Sequence, residues 1–72
     1  MNKITLELWE QDAIVLYDWL MQTSFDEINF NHKAEKQALT DLLNALESQA
    51  VDSPSQVKID EARQDVSKNM GF

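Results

Sequence analysis

His32, Glu35, Asp26 and Glu27 are the side chains whose types and spacing could do chemistry. His32 and Glu35 stand three apart, so on a helix an imidazole and a carboxylate share one face, and Asp26 or Glu27 could complete a cation site. Such sites draw further ligands from other helices, and the sequence marks none. His32 is the only imidazole, cysteine is absent, and Ser24, Ser48, Ser53, Ser55 and Ser67 sit in no nucleophile elbow. The single glycine, Gly71, rules out a glycine-rich loop that cradles phosphate through close backbone approach. Glu7 with Glu10, and Asp26 with Glu27, are carboxylate pairs without any sign of a pocket to raise one pKa. The expectation is a protein that is not an enzyme and holds no metal and no cofactor. On that view His32 and Glu35 are structural: Asn31 or His32 caps a helix, and Glu35 closes a capping box behind His32.

Charge narrows the partners. Six Lys and Arg against thirteen Asp and Glu give a net charge of −7. Between Lys3 and Lys33 there is no basic residue, while Glu7, Glu10, Asp12, Asp18, Asp26 and Glu27 fall in that interval. Such a field repels phosphate backbones, which argues against nucleic acid, and it speeds encounter with a basic protein surface. An acidic surface also keeps a small protein soluble without serving any partner. No secretory leader and no apolar run near the ~18 residues of a membrane span are present, so a soluble, cytoplasmic protein without membrane contact is expected.

These residues must be positioned by few elements, because 72 residues make one small domain with a thin margin of stability. Without disulfides or thiolate zinc, a staple would have to be tight helix packing or oligomerisation. KITLELW alternates Ile4, Leu6 and Leu8 against Lys3, Thr5 and Glu7, which predicts a half-buried strand. Its ladder partner would be residues 26–30, where Ile28 and Phe30 repeat the alternation, or a second copy across a dimer. From about Glu10 to Gln22 the pattern turns helical, with Glu10 and Asp12 in the first turn where the helix dipole favours negative charge. Ala13, Leu16, Tyr17 and Leu20 form one stripe, Ile14, Met21, Val15 and Trp19 widen it, and only Gln11, Asp18 and Gln22 make a polar strip. An arc this wide marks either the central helix of the fold or a helix with a second covered face. A second helix is predicted from about Lys33 to Gln49, burying Ala38, Leu39, Leu42, Leu43 and Leu46. A third starts with Ser53 as cap and Pro54 in the first turn and runs to about Asn69, with Ile59, Ala62, Val66 and Met70 on a narrow stripe and Gly71 for its ending. The fold class expected is mainly α, in the order β-α-α-α.

Two tryptophans need a role. Tyr17 and Trp19 read as core. Trp9 stands where Ser, Thr, Asp or Asn would cap the first helix. It is either a lid over the strand–helix corner, the reading the residues favour, or an exposed anchor of the kind found at interface hot spots.

The run L-x-L-x-x-x-x-A-x-V-L-x-x-W-L, here Leu6, Leu8, Ala13, Val15, Leu16, Trp19 and Leu20, resembles the opening of a group of small uncharacterised bacterial proteins. F-x-H-x-A-E-x-x-A-L, here Phe30, His32, Ala34, Glu35, Ala38 and Leu39, resembles their second half, together with Leu42, Leu46 and a closing helix like EARQDV. The resemblance implies a shared fold and a bacterial source, and no activity. In that group a small hydroxyl residue stands at the Trp9 position and a Pro follows the His, where this chain has Lys33. Trp9 is therefore a departure.

Together these residues predict a small acidic protein-interaction module of the inhibitor, immunity or antitoxin kind, dimeric, recognising a protein with a basic surface. Trp9 would be the anchor, and Glu7, Glu10, Asp12, Asp26 and Glu27 the steering charge. The alternative is a self-associating structural module. A metal-binding protein built on His32, Glu35 and Glu27 ranks third.

Overall fold

The computed structural model describes residues 2–49 and 54–70. They form three helices, α1 (Glu10–Gln22), α2 (Lys33–Ser48) and α3 (Gln56–Lys68), with a short 3-10 turn at Phe25–Glu27 between the first two. No helix among these residues is long and apolar enough to cross a membrane.

The wide apolar arc of α1 is explained by its place at the centre, with both other helices packed against it. One flank, Ala13, Tyr17 and Leu20, meets Leu46 of α2, and Leu16, Phe25, Leu39, Leu42 and Leu43 close around them. The other flank, Ile14 with Val15 at its edge, meets Ile59 and Ala62 of α3. Ala38 is exposed, so α2 buries a narrower stripe than its sequence predicts.

Two members of the polar strip of α1, Gln11 and Asp18, face α3 and form the seam with it, while Gln22 is exposed. Asp18 is only 8% exposed. Arg63 Nη2 donates to its Oδ2 at 2.8 Å and Gln22 Nε2 to its Oδ1 at 2.7 Å. One turn before Ile14, Gln11 Nε2 donates to Asp65 Oδ2 at 2.6 Å. The apolar contact of Ile14 with α3 is thus bracketed by polar pairs along α1. Among the described residues no buried side-chain polar atom lacks a partner, which matters because an unpaired buried carboxylate costs several kcal/mol.

The helix starts follow capping chemistry. His32 Nδ1 accepts from the Ala34 amide at 3.0 Å, while Glu35 Oε1 accepts from the amides of His32 at 3.2 Å and Asn31 at 2.7 Å. Helix α2 therefore begins as its sequence predicts. For α3 the cap is Ser55, whose Oγ accepts from the Lys58 amide at 3.3 Å. Ser53 lies outside the described residues, as does Gly71. Pro54 precedes the helix instead of opening it, since its fixed φ suits an extended entry as well as a first turn. Val66 is half-buried and Met70 is exposed.

Two further expectations are corrected. No strand exists among the described residues: residues 2–9 run to α1 without ladder pairing, with Ile4 89% and Leu6 68% exposed. The physical reason is the lack of a partner among the described residues. Residues 26–30 spend their amides on a local turn, with Glu27 N–H donating to Ser24 C=O at 3.1 Å and Ile28 N–H to Phe25 C=O at 3.3 Å. Trp19 is not core either, being 52% exposed. At 100° per residue it points away from both the α2 flank and the α3 flank, and among the described residues no third helix packs on that side.

Removing Arg63 should expose the dependence of the α1–α3 seam on its charge pair. Arg63→Ala strands Asp18 and is expected to cost roughly 1–3 kcal/mol, less than a fully buried pair because Arg63 is half exposed. Asp18→Leu removes the buried charge and leaves Arg63 to water, so it should cost less. Urea unfolding of the two variants checks the order, and equal losses would contradict it.

Candidate functional site: the N-terminal arm and the Trp9 corner

Trp9 occupies the N-cap of α1 with φ −58° and ψ 136°, and its side chain makes no capping bond. Its carbonyl accepts the first intrahelical bond, from the Ala13 amide at 3.1 Å, and the free amides of the first turn receive no acceptor from the Trp9 side chain. The indole is 47% exposed, which makes it half lid and half free surface. The first-turn amides of α1 depend instead on Glu10 and Asp12, whose charge complements the positive end of the helix.

The arm before Trp9 carries Ile4, Leu6 and Leu8, all exposed. Together with the helices it bounds a cleft of about 800 Å³. Its helical walls include Ala13 and Ile14 of α1 and Leu42, Ala45 and Leu46 of α2, and Lys3, Glu10 and Lys58 supply its charge.

The expected site residues separate into two groups. Glu7, Trp9, Glu10 and Asp12 are gathered at the start of α1, where Glu7 and Glu10 are exposed and Asp12 is half-buried. Asp26 and Glu27 follow the other end of α1, about 20 Å away for a helix of thirteen residues. Asp26 is moreover held by Lys36, whose ammonium hydrogen-bonds its carboxylate and, by that bond and by its charge, lowers the Asp26 pKa. Asp18, counted in the same acidic interval, is spent inside the fold on Arg63. The acidic field is therefore less continuous than the sequence suggests.

Sequence reasoning missed Trp19 as surface. It shares an outer face of α1 with Asp12, two turns earlier, and with Val15 between them. The signal was its angular position, far from the centres of both packed flanks.

His32 and Glu35 are occupied in capping through Nδ1 and Oε1. Among the described residues no group of three or more His, Cys, Asp or Glu comes together in a way that could hold a metal ion. No family model, curated protein or solved structure matches this chain.

Two outcomes test this geometry. Trp9→Ala and Trp9→Ser truncate the same indole and differ only in the hydroxyl that can accept from a free amide. The serine variant should be more stable by about 1 kcal/mol in urea unfolding, and equality would place the helix start elsewhere. For the other acidic group, Lys36→Met should move the Asp26 titration upward toward an ordinary carboxylate, read by carboxyl NMR. The sign follows from linkage: with the folded pKa depressed, the contribution of this pair is present above the unfolded pKa and is lost as pH falls through the folded value. An unmoved titration would mean that the pair does not form in solution.

Proposed function

We propose that this chain is a small acidic protein-interaction module without catalytic chemistry of its own, acting as an inhibitor, immunity or antitoxin-like protein on a partner with a basic surface. The observation that carries the reading is the Trp9 corner. A half-exposed indole stands at a helix cap where a small polar residue would serve the fold better, with Glu7 and Glu10 exposed beside it. Trp supplies large contact area at low entropic cost, and neighbouring carboxylates raise the rate of encounter with a cationic surface. Glu7, Trp9, Glu10 and Asp12 form the proposed contact. Asp26 and Glu27 add long-range field at most, since Asp26 is already neutralised by Lys36.

The self-associating module is the second reading, favoured by the exposed apolar side chains of the arm. The metal-binding reading has lost its best atoms to capping. A cytoplasmic location and a bacterial source belong to the same proposal and rest on the sequence alone.

Affinity capture with the tagged chain from its native cells tests the first reading. The specific partner should be a protein with a basic surface, held by the wild type and lost with Trp9→Ala, and association should slow several-fold between low and physiological salt. Capture that is indifferent to both Trp9→Ala and salt would remove Trp9 and the acidic residues from the account.

A further inference from the structure

The arm has its own pattern. Lys3, Thr5 and Glu7 alternate with Ile4, Leu6 and Leu8, and all six are exposed. Neither Lys3 nor Glu7 takes part in an ion pair among the described residues. An exposed alternating segment with unpaired backbone amides and carbonyls is a template for another strand.

We propose that the second strand is the same segment of a second copy, paired antiparallel about a two-fold axis at Thr5. In this register Lys3 of each chain faces Glu7 of the other, so the segment is its own electrostatic complement. Ile4 faces Leu6 of the second copy on the opposite side of the ribbon. A shift by one residue sets apolar side chains against polar ones and breaks the alternation. A shift by two in one direction puts Lys3 opposite Thr5, and in the other opposite Trp9, and both lose the directly facing charge pair. A two-stranded ribbon is marginal alone and needs an apolar surface to lie on. Leu42, half-buried, and Ala45, exposed, line the cleft behind the arm and offer part of one.

This inference deepens the second reading of the arm and requires no heterologous partner, so its test uses the chain alone. Sedimentation equilibrium over a dilution series should show a monomer–dimer equilibrium. Lys3→Glu and Glu7→Lys should each weaken the dimer by on the order of tenfold, and the double swap should restore it. The Glu7→Lys arm is the sharpest. It changes the net charge from −7 to −7 + 2 = −5, which by bulk repulsion alone would strengthen association, whereas the crossed pair demands weakening. Circular dichroism checks that the helices are kept in every variant, as expected for residues outside the helical core.

Thr5→Cys in this cysteine-free chain should form an interchain disulfide under mild oxidation faster than Val57→Cys, whose exposed position lies on α3. A monomer at the highest concentration overturns the pairing. A dimer in which the double swap stays as weak as the single changes, or in which Glu7→Lys tightens association, overturns the register. Loss of capture by Trp9→Ala with an intact dimer would leave both readings standing, and capture without any dimer would sink this one alone.

Discussion

The buried carboxylate of Asp18 constrains the arrangement of everything around it. A charge taken out of water must find partners, and these come from two places: Gln22 one turn later and Arg63 on another helix. That second partner fixes how α3 lies on α1, because the guanidinium reaches Asp18 while Ile59 and Ala62 meet Ile14. Apolar burial supplies most of the driving force, but it is non-directional. The Asp18–Arg63 pair and the Gln11–Asp65 bond give the seam its register.

With α3 held on one flank and the leucines of α2 on the other, α1 becomes the axis of the fold. A short chain gains much from this economy, since one helix serves two contact faces. The cost falls on the third face and on the segment before the helix. Among the described residues Trp19 has no helix to cover it, and the arm from Lys3 to Leu8 has no strand to join. Half of the large apolar side chains left exposed, Ile4, Leu6, Leu8 and Trp9, stand on the N-terminal side of α1 with the carboxylates of Glu7 and Glu10, and the others are Trp19, Met21, Val57 and Met70. The proposed contact is set on the N-terminal side because the fold buries little of that surface.

How far this was legible differs from residue to residue. The bounds of α1 and the capping box of α2 follow from local chemistry: apolar spacing at 3.6 residues, first-turn acids, and His32 with Glu35. Local rules suffice when the interacting atoms lie within one turn. The Asp18 seam was not legible, because a polar strip on an amphipathic helix looks the same whether it faces water or an arginine 45 positions away. The L-x-L alternation predicted a strand that does not form among the described residues, because pairing is a property of two segments and 26–30 chose a turn. Trp19 misled for a related reason: hydrophobicity says that a residue can be buried, and only the placement of neighbouring helices decides whether it is.

The account makes the arm an interaction element that is unsatisfied in the isolated chain. Amide hydrogen exchange over residues 4–8 reads this directly. In a dilute sample these amides should exchange at rates near those of an unstructured peptide while the amides of α1 are protected, and they should gain protection when the sample is concentrated or a partner is added. Strong protection of residues 4–8 in the dilute monomer would mean that the arm is already paired within its own chain, and would contradict the account.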